Sequence, residues 1–375
     1  MLLGLIAIAV SGCRHRPPAA EKTRTAPAVE RKPLPIKPVT TPLACVKGGT
    51  VYVMDGEGNH QRRLAAPGTA VPESLCWSPD TKRLAFWTVD ASRDRVAGPF
   101  HLCVADVEAG AEPAVLYTSD PGLGGDLPAF SPDGKEIYAS VYGGRDDRGM
   151  AAGGLHAVEF SKNLGLLRFA GDGGKPHPLV ERPGDRGPLR WPDVSPDGKQ
   201  LVAIGGQDLG HGYLALLDLA TRETREYRET AATFARWNPR YVRVAYFAPG
   251  NNGQRDLRVW EPAKLKTVTV AADLSPLATF CWSPGGQSLA YTNESSYAIR
   301  RERNGKWAPE PLRRISVGGA LFRWPTFSPD GRAAIYEFHQ VRDGESVLKR
   351  DAMDVSVTAT DILPGAVRPL FAGSR

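Results

Sequence analysis

Val194-Ser195-Pro196-Asp197-Gly198, followed two residues later by Leu201-Val202-Ala203-Ile204, is the stretch that decides the fold. Proline presets φ for the first central position of a turn. Aspartate bonds its own backbone, and glycine accepts the positive φ that closes a tight reversal. An apolar residue on one side and an apolar run on the other make this a hairpin between two short strands. The pattern recurs at Ser78-Pro79-Asp80-Thr81, Ser131-Pro132-Asp133-Gly134, Asn238-Pro239-Arg240-Tyr241, Ser283-Pro284-Gly285-Gly286 and Ser328-Pro329-Asp330-Gly331. The six prolines are spaced 53, 64, 43, 45 and 45 residues apart.

Each copy is preceded by an apolar residue (Trp77, Phe130, Val194, Trp237, Trp282, Phe327). Each is followed by further strand-like segments, such as Leu102–Asp106 then Ala114–Tyr117, or Tyr213–Asp218 then Thr224–Tyr227. Four strands at a period near 45 residues is the pattern of a propeller blade. Composition agrees: 40 Gly and 32 Pro in 375 residues suit turns and exclude an all-helical chain. No run of 18 or more uncharged apolar residues is present, which excludes a polytopic helical membrane protein.

The repeats resemble those of TolB-type, WD40-like propellers. Val51-Tyr52-Val53-Met54-Asp55 through Arg62-Arg63-Leu64 matches the second half of that consensus, and the resemblance spans about residues 43–372. It implies an all-β fold, a β-propeller of four-stranded blades, and says little about chemistry. Six copies of four strands, the last ending at Val367–Phe371, plus three strands at Leu43–Lys47, Thr50–Asp55 and Arg62–Ala65, give seven blades, one of them short a strand. Six blades is the alternative, with the N-terminal piece capping an edge.

Ahead of the repeats, Leu2–Val10 is an apolar run of signal-peptide length, and Val10-Ser11-Gly12-Cys13 resembles a bacterial lipobox. The resemblance implies cleavage before Cys13 and acylation of its thiol and new amine, enough for stable anchoring. Residues 14–42 hold seven prolines and seven basic residues against two acidic ones. Such a segment cannot bury enough surface to offset its ordering entropy. The domain reading is therefore signal peptide 1–12, lipid-anchored disordered tether 13–42 and propeller 43–375. The tether accounts for most of the formal charge of +6, so a basic face for nucleic acid is not expected.

No nucleophile elbow, metalloprotease helix, phosphate loop or dinucleotide fingerprint occurs. The seven histidines never pair at ligand spacing, the cysteines show no zinc spacing, and Asp146-Asp147 supplies too few ligands for calcium, so neither cofactor nor metal is expected. Cys45, Cys76, Cys103 and Cys281 are read as buried free thiols, and the Ser-Pro-Asp aspartates as turn caps. In an up-and-down blade the motif turns share one face, and the longer loops share the other.

The expected binding face is the loop-rich one, carrying Arg145, Asp146, Asp147 and Arg148. Two like segments, Arg190-Trp191-Pro192 and Arg323-Trp324-Pro325, are expected in blade-to-blade connections at its centre, with Arg190, Trp191, Arg323 and Trp324 contacting a partner. The functional expectation is a membrane-anchored, extracytoplasmic, non-enzymatic module in the cell envelope that binds a protein or glycan. The alternatives are a polysaccharide lyase or hydrolase using the same face, and a component of a Tol-Pal-like envelope complex.

Overall fold

The computed structural model describes residues 42–371 apart from 72–73, 91–98, 110–111, 121–122, 144–164, 172, 181–186, 207–211, 228–230, 329, 332, 341–344, 353–359 and 365. The segments read from sequence as a signal peptide and a lipid-anchored tether, Cys13 included, lie outside the described residues apart from Pro42, as do Arg145, Asp146, Asp147 and Arg148. Among the described residues there are strands and two single-turn 3₁₀ segments, and no α-helix.

The strands form seven antiparallel sheets. Blade 4 is the plainest: Leu189–Val194, Gln200–Gly205, Tyr213–Asp218 and Thr224–Tyr227 lie side by side in chain order from the axis outward. Blades 2, 3, 5, 6 and 7 follow the same order, with inner strands ending at Trp77, Phe130, Trp237, Trp282 and Phe327. Successive inner strands neighbour one another around the ring, and that of blade 7 meets Ala366–Phe371.

Ala366–Phe371 corrects the sequence reading. The fourth strand of blade 7 is Thr360–Pro364. Ala366–Phe371 instead pairs with Leu43–Lys47, Leu43 opposite Phe371 and Lys47 opposite Ala366, as the inner strand of blade 1. No blade is short a strand, because the two ends of the repeat region complete one sheet between them.

Large apolar side chains fill the seams between blades. Trp77, Phe86 and Leu84 of blade 2 pack with Ala44, Val46, Val51 and Val53 of blade 1. Trp282 and Phe280 of blade 6 pack with Phe247, Leu257 and Val259 of blade 5. All four described cysteines are free. Burial pushes the Cys45 thiol up to about 12 and the Cys103 thiol to about 11, so both behave as small apolar core residues.

The motif turns are built as their residues dictate. Ser131 Oγ donates to Asp133 Oδ1 at 2.6 Å and accepts the amide of Glu136 at 2.9 Å, while Gly134 takes φ 73°. Ser195 with Asp197 and Ser328 with Asp330 repeat the contact at 2.6 Å. The aspartates thus serve the turns, as read from sequence. Donation by Ser78, Ser131 and Ser195 lowers the pKa of Asp80, Asp133 and Asp197. A depressed folded-state pKa adds stability above the ordinary carboxylate range and loses it as pH falls through the folded value. The triple variant Asp80→Asn, Asp133→Asn, Asp197→Asn should melt lower than wild type at pH 7 and show a shallower fall between about pH 5 and pH 2. Parallel fall of both proteins in thermal melts would refute this role.

Candidate functional site

An inner strand runs from the loop-rich end of the channel to its motif turn. In blades 4, 5 and 7 it is interrupted by a register shift: between Arg190 and Asp193, between Thr233 and Arg236, and between Arg323 and Thr326. Pro192 and Pro325 explain two of these, since proline offers no N–H to the ladder. Arg190-Trp191 and Arg323-Trp324 therefore lie inside inner strands, at bulges, and not in the blade-to-blade connections where the sequence reading put them.

At each bulge one aromatic residue sits in the left-handed region: Trp191 at φ 52°, Phe234 at φ 47° and Trp324 at φ 51°. All three occupy the position five residues before the motif proline. For bulky residues this conformation costs about 1–3 kcal/mol each, and such strain concentrates at functional sites. Phe234 was missed in the sequence, because Thr233-Phe234-Ala235 lacks the Arg-Trp-Pro signature; counting back from Pro239 would have found it. The same position holds Ser74, Leu127 and Thr279 in blades 2, 3 and 6. Ser74 mends its own ladder, its Oγ accepting the Trp87 amide, while Thr279 Oγ1 reaches to the next blade and accepts the Trp324 amide at 2.8 Å.

Trp191 packs onto the core between blades 4 and 5, and Phe234 onto the core between blades 5 and 6. Phe234 and Trp324 approach each other at 6.2 Å between ring centroids, although blade 6 lies between their blades. That reach is across the mouth of the channel. Phe234 also meets Phe280 edge-on at 5.3 Å.

Guanidinium groups line the same region. Arg190 is buried and lies over the ring of Tyr142 in blade 3 at 5.0 Å. Tyr142 in turn donates its hydroxyl to buried Asp126. Arg323 is half-buried and stands opposite Glu337 across the ladder. Arg236, which the sequence reading did not single out, stacks on Phe234 at 4.6 Å and donates Nη1 to the Ala235 carbonyl at 3.0 Å. Its Nη2 is enclosed and meets no hydrogen-bond partner among the described residues. Burial lowers the Arg236 pKa, and the carboxylates of Asp193 and Asp126 act against that shift. Asp193 accepts the Trp237 amide through Oδ2 at 2.6 Å.

The structure therefore brings Trp324 and Phe234 together in the channel, with Arg236 two residues nearer the motif turn, and seats Arg190 and Trp191 between blades 3, 4 and 5. Among the described residues no group of three or more His, Cys, Asp or Glu comes together as a metal site would require.

Seven blades, repeat turns of this kind and closure of the N-terminal sheet by the C-terminal strand lead to known propellers. TolB from Acinetobacter baumannii superposes with a TM-score of 0.51 at 13% identity, over 89% of this chain and 67% of that one. The fold is that of a TolB-like β-propeller. An oligogalacturonate lyase from Vibrio parahaemolyticus matches with a TM-score of 0.58 at 15% identity, over 81% of this chain and 83% of its own. A prolyl endopeptidase matches with a TM-score of 0.57 at 17% identity, over 88% of this chain and half of its own. No family model and no curated relative matches the sequence. Among these propellers what is shared is the scaffold, and their differing chemistry lies in what each places on it.

The opposite face is not featureless. A cleft of about 470 Å³ lies between the motif-side turns of blades 5 and 6, lined by Tyr241, Val242, Arg243, Lys264, Glu302 and Asn304 among others. It forms where the repeat departs from Ser-Pro-Asp-Gly to Asn238-Pro239-Arg240-Tyr241 and leaves Tyr241 and Val242 exposed.

Proposed function

We propose that the protein is a membrane-anchored, extracytoplasmic propeller that binds a partner, without catalysing a reaction on it, at the loop-rich mouth of its channel. The observation that carries this is the strained backbone of Trp191, Phe234 and Trp324 at one repeat position. A glycine would occupy that backbone at no steric cost. Of the three, Trp324 stands outside these inter-blade cores, and an aromatic side chain kept there at an energetic cost is best understood as a contact group. The chain also joins the body at the motif-turn end, where Leu43 faces Phe371, which leaves the mouth clear of that junction. Anchoring rests on Cys13 and the segment around it.

The test uses the full-length protein, cross-linked in its native membranes and recovered in detergent. Trp324→Gly should cut partner capture about thirtyfold, the roughly 2 kcal/mol of an interface anchor, while the melting temperature holds or rises through relief of strain. Cys13→Ser in the same experiment should release the protein from membranes. Undiminished capture together with a marked fall in melting temperature would make Trp324 a packing residue and end the proposal.

A further inference from the structure

We infer that the channel, entered from its loop-rich mouth, takes a carboxylate from its partner, an acidic side chain or C-terminus of a protein, on the guanidinium of Arg236. This rests on the preceding reading of the mouth and names what that site recognises. Three observations lead to it. First, Arg236 Nη2 is enclosed without a partner, while Nη1 is spent on the neighbouring Ala235 carbonyl. A buried N–H without an acceptor is costly, and a guanidinium presents donors in a fork that fits a carboxylate. Second, no ion pair to Arg236 occurs among the described residues. Asp193 and Asp126 act on it through space without bonding it: Asp193 Oδ2 holds the Trp237 amide, and Asp126 Oδ1 holds the Tyr142 hydroxyl. Third, the group is held, its guanidinium carbon 4.6 Å from the centre of the Phe234 ring, and Phe234 itself is braced by Phe280 and Trp324.

The same geometry favours a peptide over an acidic sugar. Sugars bind on open aromatic faces, and here all but those of Trp324 are taken. Arg236 covers Phe234, Arg190 covers Tyr142, and Trp191 is built into the core between blades 4 and 5.

The probe is an acetylated Ala-Ala-Glu tripeptide, titrated calorimetrically into the full-length protein. Its uncharged Ala-Ala-Gln amide and digalacturonate serve as comparisons. The acidic peptide should bind, and the amide should bind at least tenfold more weakly to the wild type, a comparison that needs no variant. Arg236→Gln should lose at least tenfold for the acidic peptide, and Arg236→Lys, which keeps the charge without the fork, should fall between. Arg240→Gln, exposed on the opposite face, should match wild type. Equal binding of acidic peptide and amide, or of wild type and Arg236→Gln, overturns the inference. So does binding of digalacturonate alone, which would transfer the site to an acidic glycan. If Trp324→Gly abolishes partner capture while Arg236→Gln does not, the mouth stands as the binding site and the carboxylate assignment alone falls.

Discussion

A chain that stops after Pro364 should lose its single cooperative melting transition, or melt about 10 °C or more below the full-length protein. The reason is topological. Ala366–Phe371 is the inner strand of blade 1, paired with Leu43–Lys47 at four positions. Without it Leu43–Lys47 becomes an unpaired edge around the axis, and the inner strand of blade 7 loses its next neighbour in the ring. At roughly 1 kcal/mol net per ladder hydrogen bond, the lost pairs alone amount to about 4 kcal/mol, a large share of a typical domain's stability. A synthetic peptide of residues 366–375 added in excess should restore part of the loss by refilling the strand position. A truncated protein that melts within about 2 °C of full length would mean that blade 1 does not close the ring.

The closing strand also marks how far the sequence could be read. The turn motif was legible because each of its residues has one physical task, and six copies made the blade count almost automatic. What could not be read was ownership of the last strand. Ala366–Phe371 is mostly apolar, like any blade strand, and only pairing across more than 300 residues tells which sheet it joins. The mouth shows the same division. Arg190-Trp191 and Arg323-Trp324 stood out by composition, yet their place within bulged inner strands depends on the missing N–H of Pro192 and Pro325 and on a register no local pattern reveals. Phe234 carries only its count back from Pro239, and Arg236 no local signal at all. Their part in the site follows from the ring, which brings blade 5 within reach of blade 7.

Removing Glu302 should destabilise the protein by about 3 kcal/mol, a fall of roughly 6 °C in melting temperature for a domain of this size. Arg243 Nη1 donates to Glu302 Oε2 at 2.6 Å across the seam between blades 5 and 6, and the two side chains are only 9% and 15% exposed. The guanidinium lies between the rings of Tyr241 and Trp282, at 5.0 and 5.3 Å, and Nη2 donates to the Gly286 carbonyl at 2.7 Å. Arg243 stands four residues after the motif proline of blade 5, where blade 2 carries Arg83. Arg83 donates to the Gly134 carbonyl in the turn of blade 3, as Arg243 does to Gly286 in the turn of blade 6. An arginine at this position therefore fastens one motif turn to the next. In Glu302→Ala the cation would stay enclosed by its two rings with no counter-charge, and that isolation, more than the lost contact, produces the destabilisation. The double variant Arg243→Met, Glu302→Leu removes both charges and keeps the seam filled, so it should recover most of the loss. If the double variant unfolds as readily as Glu302→Ala, the seam is held by the shape of the Arg243 side chain between Tyr241 and Trp282, and the ion pair is incidental.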